Sequence, residues 1–206
     1  MPPPLPCLRE TPSQTAGPYL HIGLAPETAG LGLRIPGLGR QIAGPDVPGT
    51  RIRVEGRVLD GTGSPVRDAL IEVWQADAQG HYAHPDGGGA VAAGFRGWGR
   101  VAADFATGDW GFDTVKPGPT PGRAGGLQAP HLNLWLVARG INIGLATRMY
   151  FADEAAANAA DPVLCLVEPE ARRATLVAPC TLRAGLPVYR FDIRLQGEGE
   201  TVFLDV

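Results

Sequence analysis

Two segments of this chain alternate between apolar and charged residues, and that alternation restricts the possible folds more than any other feature. Residues 51–58 place Ile52, Val54 and Val58 between charged neighbours, and residues 188–195 repeat the pattern with aromatic and aliphatic side chains. A repeat of two residues is typical of a half-buried β-strand. Both segments are therefore predicted to be strands that turn one face to a core.

Glycine and proline divide the rest of the chain into short elements. The 206 residues include 29 glycines and 20 prolines, which is too many for a helical bundle. Further strands are predicted at 69–75, 98–105, 110–115, 131–138, 141–151 and 200–206, and short helices at 168–177 and at 154–160 with Asp153 as N-cap. Together these elements predict a mainly β protein, an antiparallel β-sandwich with minor helix.

The first 50 residues differ from the rest of the chain. Residues 1–50 are rich in proline and glycine and lack periodicity, so they are predicted to form an extended N-terminal arm and a loop. Residues 51–206 are predicted to form one β-sandwich domain. Within it, the segment 117–130 contains several turn signals and is predicted to be a loop.

The charge balance and the cysteines limit the partners and the compartment. With 18 basic and 21 acidic residues, the formal net charge is -3, which argues against a nucleic-acid partner. No apolar run approaches the ~20 residues that cross a bilayer, and the first residues lack a secretory signal, so we expect no membrane partner. The odd set Cys7, Cys165 and Cys180 contains no C-x-x-C pair, which favours a cytoplasmic location.

Four histidines and four tyrosines are the main candidates for chemistry, because nucleotide-binding and serine-hydrolase motifs do not occur in the sequence. Imidazole and phenolate together suit a hard ion such as ferric iron. His81, Tyr82 and His84 lie close together in the sequence, although a solvated loop is the simpler interpretation. For His131 at a strand end, a structural hydrogen bond is the simpler interpretation. Arg139 either grips a carboxylate or is a turn arginine in solvent.

Six motifs carry a resemblance to a known family. They are TPSQTAGPY (11–19), EVWQADAQGHY (72–82), TVKPG (114–118), APHLN (129–133), ARGIN (138–142) and RFDIRLQGEGETVF (190–203). Read together, they resemble the intradiol ring-cleavage dioxygenases, and within them the α subunits of protocatechuate 3,4-dioxygenase. The resemblance implies a β-sandwich in an αβ unit that assembles into a larger oligomer. It also implies protocatechuate and O2 as substrates, with ring cleavage between the two hydroxyls to 3-carboxy-cis,cis-muconate.

The resemblance further implies that the iron site of such enzymes is incomplete in this chain. In the family, two tyrosines and two histidines of the catalytic β subunit hold a non-haem ferric ion. Two of these positions fall on Tyr82 and His131, and the other two fall on Thr120 and Asn133. Neutral side chains at the last two positions offset none of the Fe3+ charge. We therefore expect no catalytic iron in this chain, and we expect the Fe3+ on a partner β subunit.

The resemblance also implies that this chain lines the partner's substrate pocket. Thr15, Gly17, Pro18 and Tyr19 in the arm fall on residues that line this pocket, and Arg139 falls on an arginine at its wall. A cation at that wall raises the local concentration of an anionic substrate and orients it. The expected function is that of a non-iron-binding α subunit, whose arm packs on the β subunit and completes its pocket.

Two other interpretations remain open. In one, the chain is a self-sufficient intradiol dioxygenase with an altered iron site made of Tyr82, His131 and His84. In the other, it is a non-catalytic β-sandwich scaffold or a carrier of an aromatic acid.

Overall fold

Short strands make up most of the regular structure in the computed structural model, which describes residues 14–32, 39, 41–87, 89–122 and 125–205. The strands are β1 (Arg51–Leu59), β2 (Leu70–Gln75), β3 (Trp98–Ala102), β4 (Asp109–Val115), β5 (Thr120–Pro121), β6 (Leu127–Gln128), β7 (His131–Val137), β8 (Leu145–Phe151), β9 (Val177–Ala178), β10 (Cys180–Arg183), β11 (Leu186–Arg190) and β12 (Ile193–Arg194). The α-helices are α1 (Leu20–Leu24), α2 (Ala155–Ala160) and α3 (Glu170–Ala174), and two 3-10 turns lie at Ala152–Glu154 and Leu164–Leu166.

Two sheets form the predicted sandwich. The first has the strand order β10-β11-β1-β12, with β4 also paired to β1, and the second has the order β3-β2-β7-β8-β9. Apolar side chains from both sheets form one core between them, including Val54 of β1, Leu134 of β7 and Met149 of β8. The small pair β5-β6 lies within the segment predicted to be a loop.

The alternation of β1 is confirmed residue by residue. Ile52, Val54 and Val58 are at most 1% exposed, and the charged residues between them are partly exposed. Each such side chain contributes about 1.5–3 kcal/mol by leaving water. Gly56 interrupts the pattern for a steric reason, because a Cβ there would lie 1.9 Å from the carbonyl oxygen of Phe191.

The strand predicted at 131–138 is β7, which crosses the middle of the second sheet. Leu132, Leu134 and Leu136 point into the core at no more than 2% exposure. Because side chains alternate along a strand, His131 and Asn133 share the opposite face. The leucine pattern of β7 thus determines where those two polar side chains lie.

The predicted sandwich contains three parallel strand pairs beside its antiparallel ones. β1 pairs in parallel with β11 and with β12, and β8 pairs in parallel with β9. A parallel pair needs a long connection between its strands. The segment with α2 and α3 supplies that connection between β8 and β9.

Two strand predictions need correction. The segment 188–195 contains parts of two strands rather than one, namely the end of β11 and the whole of β12. The strand is interrupted because the Asp192 carboxylate accepts a hydrogen bond from the Arg57 backbone N–H at 2.9 Å, in place of a backbone ladder bond. Residues 200–205 form no strand, although Leu204 makes an isolated bridge to Ala146. Predicted residue 206 lies outside the described residues.

The helix predictions are confirmed in position, but the cap is wrong. The helix predicted at 168–177 shortens to α3, and α2 forms where predicted. Asp153 does not cap α2. Its carboxylate instead accepts hydrogen bonds from Lys116 Nζ at 2.8 Å and from the Tyr189 hydroxyl at 2.9 Å. Among the described residues, no helix is long and apolar enough to cross a membrane.

The predicted arm is described from residue 14 onward, except for residues 33–38 and 40. The short helix α1 follows Tyr19, and farther along Ile42 is fully buried in the main core of this same chain. Ala43 and Val47 belong to a second apolar cluster with Phe95. The packing of the arm on a partner, and the boundary at residue 50, stay predictions.

Candidate functional site

The four positions that the resemblance aligns with iron ligands converge in the structure, and we call them the remnant cluster. Tyr82 lies in the loop after β2, Thr120 lies in β5, and His131 and Asn133 lie on one face of β7. The Tyr82 hydroxyl is 3.3 Å from His131 Nε2 and 3.2 Å from Asn133 Nδ2. The Tyr82 ring is stacked on Trp74 with 5.6 Å between the centroids.

The hydrogen bonds of His131 define one neutral tautomer of its ring, with the proton on Nδ1. Its Nδ1–H donates to the Ala129 carbonyl at 2.7 Å, which leaves Nε2 to accept from the Tyr82 hydroxyl. Burial lowers the pKa of His131 to about 4, and the positive charge of Arg148 adds to that effect. Burial likewise raises the pKa of Tyr82. At neutral pH the cluster therefore contains a neutral imidazole and a neutral phenol.

The amide of Asn133 is fully used by protein groups. Its Nδ2 donates to the Tyr82 hydroxyl and, at 3.3 Å, to the Trp74 carbonyl, while its Oδ1 accepts from Arg148 Nε at 3.0 Å. The Thr120 hydroxyl lowers the pKa of Tyr82 slightly, against the larger raising effect of burial. The Thr120 hydroxyl oxygen is nevertheless buried without a well-formed hydrogen bond among the described residues.

These donors do not fit a ferric ion. Fe3+ favours anionic oxygen ligands, and in a low-dielectric site its charge must be offset. Thr120 and Asn133 are neutral, Tyr82 is held as a phenol, and Arg148 brings a positive charge to the same place. The donor chemistry of the remnant cluster thus disfavours a ferric ion at this place in the chain.

A second candidate site lies where the arm meets the loop after β7. The Gly140 N–H donates to Thr15 Oγ1 at 2.7 Å and ties the arm to that loop. Neighbours of both residues line a cleft of about 320 Å³, which we call the arm cleft. Its lining includes Gly17, Pro18 and Arg139, so the structure places four of the five predicted pocket residues together.

Arg139 is held at one edge of its guanidinium and is open at the other. Its Nε donates to the carboxylate of Asp68, and the Arg139 side chain is 67% exposed while that of Asp68 is 17% exposed. Within the described residues, the hydrogen bonds of Arg139 involve Nε alone. The two terminal nitrogens therefore remain to bind a carboxylate.

Tyr19, the fifth predicted pocket residue, is 77% exposed and is outside the lining of the arm cleft. It precedes α1 and makes no side-chain capping bond to that helix. A single exposed aromatic side chain is common on protein surfaces, so the exposure of Tyr19 does not by itself assign it a partner.

The sequence analysis did not assign two residues of the arm cleft, His21 and Asp68, to it, although His21 was among the four histidines considered for chemistry. His21 is 6% exposed, and its ring packs edge-on against Phe105 with 4.9 Å between centroids. Burial lowers the pKa of His21, against the smaller raising effect of Asp68. His21 Nε2 is without a hydrogen-bond partner in the described part of the chain. Neither His21 nor Asp68 has a motif spacing that marks it, and only the closeness of His21 to the TPSQTAGPY motif was a signal.

The remnant cluster and the arm cleft lie at opposite ends of β7. His131 begins the strand, and Arg139 follows its end at Val137. A strand rises about 3.3 Å per residue, so the two sites are roughly 20 Å or more apart. Arg139 therefore cannot act on a ligand at the remnant cluster of its own chain.

The His84 backbone N–H donates to the Tyr82 carbonyl at 2.8 Å, but among the described residues the His84 side chain makes no hydrogen bond to the remnant cluster. The His84 side chain is 56% exposed, and its Nδ1 accepts the Asp86 backbone N–H at 3.2 Å. The geometry gives no support to an altered iron site made of Tyr82, His131 and His84.

Comparisons with known proteins give consistent matches. A family model described as Dioxygenase matches residues 36–197. The chain is 52% identical over 202 residues to the protocatechuate 3,4-dioxygenase alpha chain of Pseudomonas putida, with 98% of this chain and 99% of that one covered. It is 37% identical over 161 residues to the beta chain of the Burkholderia cepacia enzyme, with 74% and 67% covered.

Solved structures show the same fold at lower identity. The dioxygenase domain of a carbohydrate-binding fusion protein from Streptomyces sp. SirexAA-E matches with a TM-score of 0.55 and 23% identity. The match covers 79% of this chain and 88% of that one.

Proposed function

This chain belongs to the intradiol dioxygenase family, and from that premise we propose that it is the α subunit of a protocatechuate 3,4-dioxygenase. In this role it completes the substrate pocket over a ferric ion held by a partner β chain. The reaction is intradiol cleavage of protocatechuate by O2 to 3-carboxy-cis,cis-muconate. Activation of the catechol ring towards O2 is the chemistry that the iron supplies, and the residues of this chain bind and orient the substrate.

The position of the arm cleft carries this proposal. Thr15, Gly17, Pro18 and Arg139 form one surface, and this surface is far from the remnant cluster on β7. A substrate-binding surface without a reactive centre of its own needs a second chain to be useful. Similarity to both an alpha chain and a beta chain supports an αβ complex as the setting.

Arg139 is proposed to bind the carboxylate of protocatechuate. Its terminal nitrogens are open, and its Nε is held by Asp68, so the guanidinium is partly oriented before substrate arrives. Pre-orientation reduces the entropy that binding costs. The group moves no proton, and its effect is on binding rather than on the chemical step.

The arm is proposed to pack on the β chain with Tyr19 in the interface. Pro18 restricts the backbone ahead of Tyr19, which lowers the entropy lost when the arm docks. The exposed Tyr19 ring supplies apolar area for such a contact. We further propose that αβ units assemble into a larger oligomer, and that the protein is cytoplasmic, where the free and exposed Cys165 and Cys180 remain reduced.

The test compares two substrates in the complex of this chain with its β chain. Arg139→Ala is expected to raise KM for protocatechuate about 10-fold or more, the effect of losing a charge-assisted hydrogen bond. KM for catechol, which lacks the carboxylate, is expected to change little. Arg183→Ala is a matched control, because Arg183 is an exposed arginine bonded to Glu55 on β1.

Equal KM values for wild type and Arg139→Ala would remove Arg139 from the pocket. Full ring cleavage by the β chain without this chain, with this chain still binding protocatechuate, would favour the role of an aromatic-acid carrier.

A further inference from the structure

Arg148 forms the centre of the polar network at the remnant cluster. It lies on β8 directly opposite Asn133 of β7. Its Nε donates to Asn133 Oδ1 at 3.0 Å, and one terminal nitrogen donates to Gln128 Oε1 at 2.7 Å and to the Tyr150 hydroxyl at 3.3 Å. The guanidinium is thus held by three side-chain oxygens from three positions around the cluster.

All three acceptors of Arg148 are neutral. The ion pairs found among the described residues do not include Arg148, although its side chain is only partly exposed. The carboxylate of this network belongs to Asp161, which is fully buried and accepts a hydrogen bond from the Tyr150 hydroxyl at 3.0 Å. The Arg148 guanidinium is therefore a partly buried cation that contacts neutral oxygens directly and a carboxylate only through the Tyr150 hydroxyl. A metal ion is surrounded by oxygen ligands in a similar way.

We propose that the Arg148 guanidinium is the resident cation of the remnant cluster and takes the place that a metal ion would need. The argument does not depend on the proposed α-subunit function. The side-chain oxygen of Asn133 accepts a hydrogen bond from Arg148. A residue at an iron-ligand position therefore already binds a cation, and this cation is part of the same chain. A ferric ion at the cluster would face a fixed positive charge within hydrogen-bonding distance of one of its own ligands.

A consequence follows for attempts to restore the metal site. Replacing Thr120 by tyrosine and Asn133 by histidine supplies the missing ligand types, but it leaves the guanidinium of Arg148 in place. The double variant is therefore expected to remain free of iron. Adding Arg148→Gln removes the charge and retains a side chain that accepts and donates hydrogen bonds.

The first experiment compares Thr120→Tyr/Asn133→His with the same variant carrying Arg148→Gln. Each is incubated with ferrous ion in air, desalted, and analysed for iron per chain and for visible absorption from phenolate-to-iron charge transfer. We expect bound iron at least 10-fold higher in the triple variant. Equal, stoichiometric iron in the double variant would overturn the proposal.

A second experiment decides the matter if repacking closes the cluster in both variants. Arg148→Ala removes the guanidinium and leaves its oxygen ligands, which is expected to lower the unfolding midpoint by about 5 °C. Free guanidinium ion at millimolar concentration, too low to denature, should restore part of that loss, whereas urea and sodium chloride should not. Arg172→Ala is the control, because Arg172 is also a partly buried arginine, but it donates to the backbone carbonyl of Glu200 and forms an ion pair with the Glu200 carboxylate. Identical responses of the two variants to guanidinium would refute a cation site at Arg148.

Discussion

Acid should destabilise this protein through His131 before its carboxylates titrate. The pKa of His131 is lowered from 6.5 to about 4 in the folded protein, mainly by burial. Between these two values the unfolded chain binds a proton that the folded chain does not. Stability is therefore complete above pH 6.5 and falls as the pH decreases towards 4. The predicted loss from this one group between pH 7 and pH 5 is about 2 kcal/mol.

The assay is urea unfolding at pH 7 and pH 5, for wild type and for His131→Gln. Glutamine at this position retains hydrogen-bonding capacity but does not titrate, so the difference in unfolding free energy between the two pH values should shrink by about 2 kcal/mol. The lowered pKa of His21 acts in the same direction in both proteins and cancels in the comparison.

His84→Gln is the control, because the His84 side chain is more than half exposed. This variant tests whether replacing an exposed histidine by glutamine changes the pH dependence of the unfolding free energy by itself. If His131→Gln has the same pH dependence as wild type, then His131 is not buried in its neutral form, and the hydrogen-bond assignment at the remnant cluster is wrong.

Three further predictions concern the arm cleft and the core. Asp68→Asn should raise KM for protocatechuate a few-fold in the αβ complex with kcat unchanged, because Arg139 loses the charge that orients it; steady-state kinetics test this, and an unchanged KM contradicts it. Thr15→Ala should have a similar effect by releasing the arm, and unchanged kinetics would show that the arm is held elsewhere. Gly56→Ala should lower the free energy of unfolding in urea by about 3 kcal/mol or more, because the alanine Cβ would collide with the Phe191 carbonyl. A decrease below about 1 kcal/mol, the effect of an ordinary substitution, would contradict that close approach.

Hydrophobic periodicity predicted the strands whose two faces differ most. β1 was found because its apolar residues keep a period of two, and β7 was found because nearly every position of the segment 131–138 is apolar. The same pattern contains nothing about strand direction, so the parallel pairing of β1 with β11 was not predictable from it. The break at Asp192 depends on a contact with Arg57, which is 135 residues away in the sequence.

The site shows a similar division between local signals and tertiary contacts. The family resemblance brought Tyr82 and His131 together correctly, because the motifs around them are local in sequence. Arg148 and Asp68 were missed, since each acts through a partner on another element and neither lies in a recognisable motif. Asp153 was assigned as a helix cap from its position, but Lys116 and Tyr189 compete for its carboxylate in the folded chain.

The central claim is that this chain completes a pocket over iron held by another chain. The most direct measurement is iron per chain, with the visible spectrum, for this polypeptide purified alone and after co-expression with its β chain. The account predicts a colourless, iron-free, inactive protein alone, and a coloured complex with one iron per αβ pair that cleaves protocatechuate. Stoichiometric iron and ring cleavage by the lone chain would contradict it.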